Sequence, residues 1–302
     1  MANAITRVEI KDFLAFKGEF ALDFCPGVNV LIGGNGTGKT TLMKAMYSLN
    51  PKSGTSAREI LPALNLKDGD YGKLFITGSV DNFIYIPEKD MLEHAKGLLT
   101  FIERKQTGFS AIYKDVLVSA MDTPPRELTA TQKSIGEKIV KIIGGAVYWD
   151  NGASSFFTMG IDGSQIPLAY ESSGFKKLGY LGLLVASGQI QSGSVLFWDE
   201  PENSLNPDLT PELVDILLEL CRCGVQIFIA THSYDIARWF ELNIRAGDSL
   251  RYFNLRKTDG KIVADVADDY ISLPNNVIED AGDRLLKRVA EVAAVNAGVK
   301  LK

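Results

Sequence analysis

Val28-Asn29-Val30-Leu31-Ile32-Gly33-Gly34-Asn35-Gly36-Thr37-Gly38-Lys39-Thr40-Thr41 passes from an apolar strand pattern through a glycine-rich turn into a helical pattern. Gly33, Gly38, Lys39 and Thr40 fill the fixed positions of G-x-x-x-x-G-K-T/S, a loop whose backbone N–H groups wrap phosphates at a helix N-terminus. The residue types suit that work. Glycines let the backbone approach closely, Lys39 brings a point charge to the β- and γ-phosphates, and the Thr40 hydroxyl suits Mg²⁺. The candidate phosphate-binding residues are therefore Gly33, Asn35, Gly36, Gly38, Lys39, Thr40 and Thr41. A glycine-rich hairpin turn with a stray lysine would need neither the strand before nor the helix after.

Working outward, residues 5–10 and 19–24 alternate as strands ahead of Pro26-Gly27 and are expected to pair as an antiparallel flank. Residues 40–49 carry Leu42, Met43, Met46 and Leu49 at helical spacing, and the polar stretch 52–70 is expected to be an irregular connection. Strands are predicted at 74–77 and 83–86. From 91 to 143 the pattern turns helical, over 92–102, 112–121 and 135–143, with Pro124-Pro125 between the last two. Short antiparallel strands at 146–149, 156–161 and 165–168 complete a predicted inserted lobe, residues 91–167, within a core formed by 1–90 and 168–302.

Beyond the lobe the pattern alternates: helix 173–187, strand 195–198, helix 211–222, strand 226–230, helix 234–242. Such alternation makes an α/β fold with a mostly parallel sheet. Residues 252–255 and 262–266 read as late edge strands, and 276–295 as a terminal amphipathic helix.

Two more strand ends carry chemistry. Val195-Leu196-Phe197-Trp198 ends in Asp199-Glu200, where Asp199 would hold Mg²⁺ and Glu200 would orient and deprotonate an attacking water. Phe228-Ile229-Ala230 ends in Thr231-His232-Ser233, and His232, one of two histidines in the chain, could hydrogen-bond a γ-phosphate.

In this order the motifs resemble the ATP-binding-cassette ATPases, and the resemblance points to two further elements. That family carries a serine–glycine signature at a helix start shortly before the Asp-Glu strand; Glu171-Ser172-Ser173-Gly174-Phe175-Lys176-Lys177 occupies the place. The resemblance implies that Ser173 and Gly174 bind the γ-phosphate held by a second subunit, so that two copies meet head to tail around ATP. Asn203-Ser204-Leu205-Asn206-Pro207 is similar to the loop that crosses the seam between them. Ile10-Lys11-Asp12-Phe13-Leu14-Ala15-Phe16-Lys17 and Pro26-Gly27-Val28 resemble the SMC, RecF and overcoming-lysogenization-defect branch rather than transporter cassettes.

Two positions depart from the family pattern. Pro87-Glu88-Lys89 stands where a glutamine is usual, leaving Glu88 to reach Mg²⁺ through water or Lys89 to act on phosphate. Phe175 and Lys176 replace glycine and glutamine in the signature. Phe13, Phe16 and Lys17 are neighbours for an adenine or ordinary strand packing, and Lys176-Lys177 either serves nucleic acid or phosphate or lies on a solvated helix face.

A net charge of −5 argues against a broadly basic surface yet leaves DNA or RNA open as a partner. The three cysteines, Cys25, Cys221 and Cys223, read as free thiols packed in a reducing compartment. The start lacks a signal-peptide layout and the longest mostly apolar run, 178–190, is too short for a bilayer, so a cytoplasmic location and no membrane partner are expected. Residues 92–143 show no sustained heptads and so no long SMC arm.

Small ATPases of this branch are similar to those of bacterial defence modules, which implies a separately encoded effector such as a nuclease. A RecF-like DNA-clamping ATPase and an ATP-dependent scaffold with little turnover are the alternatives.

Overall fold

A computed structural model describes residues 3–49, 74–104, 112–122 and 127–296 of the chain. The predicted connection at 52–70 and Pro124-Pro125 lie outside the described residues. The order is β1 (Ala4–Phe13), β2 (Phe16–Asp23), β3 (Val28–Ile32), α1 (Lys39–Tyr47), β4 (Leu74–Ser79), β5 (Asn82–Ile86), α2 (Ala95–Glu103), α3 (Ile112–Ala120) and α4 (Ala130–Ile143). It continues β6 (Gly145–Asp150), β7 (Ser155–Gly160), β8 (Gln165–Pro167), α5 (Ser173–Ala186), β9 (Ser194–Asp199), α6 (Thr210–Arg222), β10 (Gln226–Ala230), α7 (Tyr234–Asn243), β11 (Leu250–Thr258), β12 (Lys261–Ala267) and α8 (Val277–Asn296).

The apolar runs of β3, β9 and β10 are buried at every position, as strands covered on both faces must be. They lie in a six-stranded sheet of order β12-β11-β3-β10-β9-β5. All neighbours in it run parallel except the β11–β12 hairpin. Because β10 stands between β3 and β9, the strand ends bearing the phosphate loop, His232 and Asp199-Glu200 open side by side at one edge, where ligands of open α/β sheets bind.

The N-terminal flank is the antiparallel sheet β2-β1-β4, as the alternation of β1 and β2 predicts. Gln226 joins it to the central sheet: its side chain accepts from the Ile5 N–H at 2.7 Å and donates to the carbonyls of Ile5 at 2.8 Å and Cys25 at 2.7 Å. Residues 145–167 form the third sheet, β6-β7-β8.

Two expectations need correction. β11 is no edge strand: it pairs with β3 on one side and β12 on the other, so of these two late strands β12 alone lies at a margin of the sheet. α4 begins five residues earlier than the apolar spacing indicates, because Thr129 and Gln132 form a capping box that supplies the first-turn N–H groups with an acceptor. α8 is amphipathic, but Leu285, Leu286, Val289 and Val292 stay exposed while Ile278 packs against the core.

The three cysteines are free, and Cys25 is buried. Among the described residues no helix is long and apolar enough to cross a membrane.

Candidate active site

The phosphate loop is held by close packing from the strand beside it. A Cβ on Gly33 would stand 2.1 Å from the Leu255 carbonyl oxygen of β11, at a φ of +138°. Only glycine fits there. Gly38 caps α1 in the left-handed region, with no side-chain acceptor over the first turn and no acid in it. The N–H groups of that turn are therefore left for an external anion, favoured by the helix dipole.

Lys39 is 5% exposed, and its Nζ folds onto the carbonyls of Gly33 at 2.8 Å and Gly34 at 3.2 Å. Burial pushes its ammonium down to about 8, although Glu200, Asp199 and Glu202 partly hold it up. A triphosphate would replace two carbonyl dipoles with full negative charges and hold the proton more firmly. Asn35 and Gly36 lie exposed at the loop tip, and Thr41 is the third residue of α1, directly after Thr40.

The sequence-predicted pair Thr40 and Asp199 is brought together: Thr40 Oγ1 donates to Asp199 Oδ1 at 3.0 Å. Tyr85, unremarked in the sequence, donates from β5 to Asp199 Oδ2 at 3.2 Å. Burial raises the Asp199 carboxyl above its usual range, and the Thr40 hydroxyl, Lys44 and the Tyr85 hydroxyl oppose that rise. Mg²⁺ takes one or two protein oxygens and completes its shell with phosphate and water. Thr40 and Asp199 offer such a pair. Glu88 lies close enough for its charge to raise both Asp199 and Glu200, and its Oε1 accepts from Asn203 Nδ2 at 3.1 Å.

Glu200 follows β9 with a φ of +47°, a strained backbone for a residue with a side chain. Three bonds hold it: its N–H donates to the Ala230 carbonyl at 2.8 Å, and its own carbonyl accepts from Lys177 Nζ at 3.0 Å and from the Asn203 N–H at 3.1 Å. The side chain then meets His232, with Nε2 3.3 Å from Oε1. Burial, then the neighbouring carboxylates Glu88, Glu202 and Asp199, raise the Glu200 carboxyl. Burial, then Lys39, lower the His232 imidazole, so the ring is neutral near pH 7 and can donate to a carboxylate or a phosphate.

Ser173 is exposed at the first turn of α5. Ser172 provides the N-cap, accepting from the Phe175 N–H at 3.3 Å. Gly174 is buried beneath the loop after Glu200, and a Cβ on it would come 2.7 Å from the Ser204 carbonyl oxygen. The signature helix and the seam-like loop thus form one packed unit within a single chain.

The solvated face suggested for Lys176-Lys177 is not found: both are 5% exposed. Lys176 pairs with Glu93 and reaches the Ala169 carbonyl at 3.4 Å, while Lys177 holds Glu200. Phe13 and Phe16 are packing residues, the Phe16 and Phe20 rings lying 4.7 Å apart, and Lys17 and Lys89 are exposed.

Sequence reasoning missed Glu202. Its Oε1 accepts from Thr231 Oγ1 at 2.5 Å and from the His232 N–H at 3.1 Å. The signal was present as a third acid in Asp199-Glu200-Pro201-Glu202 and a hydroxyl beside the strand-end histidine.

A family profile described as "AAA domain, putative AbiEii toxin, Type IV TA system" matches residues 98–237, and another described as "AAA domain" matches residues 7–56. The histidine/lysine/arginine/ornithine transport ATP-binding protein HisP of Escherichia coli K12 is 23% identical over 208 residues, 69% of this chain and 70% of that protein. Among solved structures, an Smc head bound to the C-winged helix domain of ScpA superposes with a TM-score of 0.57 at 13% identity, covering 88% of this chain and 98% of that one. A Pyrococcus furiosus Smc head with an extended coiled coil, bound to the C-terminal domain of ScpA, gives 0.51 at 11% identity over 95% and 99% of the two chains. The matched profiles and the phosphate loop together support an AAA-type ATPase that binds and hydrolyses ATP, and the solved structures show that its fold is similar to that of SMC heads.

The buried Lys39 sets a pH dependence. Below about 8 the free protein keeps the ammonium charged, and above that value it loses the charge that receives ATP. Initial-rate profiles should show kcat/KM, which reports the free enzyme, falling as pH rises through that region. The kcat value should fall only at higher pH, because the bound triphosphate retains the proton. A kcat/KM that stays level across that range would show that Lys39 remains charged without nucleotide.

Proposed function

We propose that two copies of this chain close head to tail around two ATP molecules and that the closed state gates a separate effector protein in a bacterial defence module. The observation that supports this reading most is the construction of α5. Its exposed Ser173 is free to meet a γ-phosphate presented by another copy, and one turn along the same helix Lys177 grips the carbonyl of Glu200. Seating a phosphate at the helix start would move, through α5, the backbone that aims the catalytic carboxylate.

In this reading Lys39 turns from the Gly33 and Gly34 carbonyls to the β- and γ-phosphates, and the uncapped N–H groups of α1 bind the same oxygens. Thr40 and Asp199, with Glu88 at the margin, would hold Mg²⁺, which supplies charge neutralisation on the β- and γ-oxygens. Glu200 orients a water in line with the γ-phosphorus and takes its proton, a task suited to a carboxyl of raised pKa. The neutral His232 donates to the γ-phosphate. Ser173 of the partner subunit completes the site, so that ATP bridges the halves and its cleavage opens them.

The defence setting draws on the profile matched over residues 98–237, whose description names a putative toxin of a type IV toxin–antitoxin system. The separate effector draws on the Smc heads, which were solved with a second protein bound. Lys176 and Lys177, the basic pair in the signature, are engaged inside the fold and offer no strip for nucleic acid. The test is co-purification with the product of the adjacent reading frame, with and without Mg-ATP. Capture that strengthens with ATP and weakens after turnover is expected. Tight, salt-dependent binding of duplex DNA by the isolated protein, with no protein captured, would favour a DNA clamp instead.

A further inference from the structure

We infer that Glu202 is the residue that aims His232 at the γ-phosphate. It is a positioning residue rather than a catalytic one, and the inference rests on the reading of His232 given above.

A histidine at a strand end has one backbone N–H and two side-chain torsions to be fixed before its ring points anywhere useful. The N–H is fixed by Glu202 Oε1 at 3.1 Å. The same oxygen accepts from Thr231 Oγ1 at 2.5 Å, and that hydroxyl in turn accepts from the Ser233 N–H at 2.9 Å. Ser233 caps α7, its Oγ accepting from the Ile236 N–H at 3.3 Å. One carboxylate oxygen therefore fastens the residues on both sides of His232, directly and through a hydroxyl, and sets how β10 turns into α7.

Glu202 is half-buried, and its Oε2 is buried with no hydrogen-bond partner among the described residues; Glu200 adds like charge nearby, and Lys39 and Lys177 feel its charge without bonding that oxygen. An unpaired buried carboxylate oxygen is a cost that calls for a reason beyond stability. The reason on this geometry is that Glu202 belongs to the loop that follows Glu200 and lies over Gly174. A displacement of that loop reaches Glu200 through the chain and His232 through Glu202, so base and phosphate donor move together.

Three variants test this. Glu202→Gln keeps an acceptor oxygen for both donors, whereas Glu202→Ala removes it; Thr231→Val removes only the hydroxyl link. Since a misplacement of about 1 Å costs on the order of 10²-fold in rate, Glu202→Ala should lose roughly that in kcat with KM for ATP changed by less than about 3-fold. Glu202→Gln should recover kcat to within about 3-fold of the native protein, with Thr231→Val falling between. With two histidines in the chain, the His232 imidazole resonance is readily assigned, and it should shift in Glu202→Ala and stay near its native position in Glu202→Gln.

Loss of activity in Glu202→Gln equal to that in Glu202→Ala, or an unmoved His232 resonance in Glu202→Ala, would overturn the inference. If His232→Ala itself turned over ATP at the native rate, the role given to His232 would fail. If His232→Ala were impaired while Glu202→Ala was not, only the inference about Glu202 would fail.

Discussion

Glu200→Gln is expected to leave ATP bound, hold two copies together and stop turnover. Glutamine matches glutamate in size, so the +47° backbone, the bond from Lys177 and the contact to His232 can all persist. What is lost is the capacity to take a proton. Removing a positioned general base costs about 10²–10⁴-fold, so kcat should fall by that amount while the affinity for ATP is kept or improved. Because the γ-phosphate then stays in place, the bridging contacts stay as well. Sedimentation velocity with Mg-ATP should show a dimer for this variant and a faster monomer exchange for the native protein. A Gln variant hydrolysing at the native rate would remove Glu200 from the role of base.

Ser173→Arg is expected to have an effect of similar size by a different route. Ser173 is exposed at the start of α5, so the longer side chain is accommodated without disturbing the core. Each chain should still bind ATP at its own Lys39 with near-native affinity. The bulky cation would obstruct the approach of the second copy and take away a donor to the γ-phosphate. Losing one such donor costs about 10²–10³-fold. Nucleotide binding measured by fluorescence should survive while the ATP-dependent dimer and steady-state hydrolysis disappear. Native turnover in this variant would show that Ser173 takes no part in the reaction.

The parts of this site that could be read from the sequence are those whose chemistry is local. A strand, a glycine turn and a helix start are contiguous in residues 28–41, and the acids at 199 and 200 announce themselves by ending an apolar run. The parts that could not be read depend on contacts across the chain. Glu202 gains its meaning from Thr231 and His232, which lie on the neighbouring strand end. Tyr85 reaches Asp199 only because β5 pairs with β9.

Lysines such as Lys176 and Lys177 read as solvent-facing by composition. The fold buries both because Glu93 and the Glu200 carbonyl, each remote in sequence, supply their acceptors. β11 was mistaken for an edge because its pairing with β3 is parallel and made at long range. The apolar spacing of α8 was legible, but spacing alone does not say whether a face is covered.

Whether ATP is shared between two chains is decided most directly by mixing two inactive variants. Lys39→Ala lacks a phosphate-loop cation but keeps Ser173; Ser173→Ala, which adds no bulk to obstruct the second copy, loses the signature hydroxyl but keeps Lys39. In a heterodimer, one composite site draws its phosphate loop and its signature from the two intact halves. Random pairing makes about half the dimers mixed, each with one competent site of two, so hydrolysis should return to roughly a quarter of the native rate. Activity no greater than the sum of the two separate variants would contradict a nucleotide site shared between subunits.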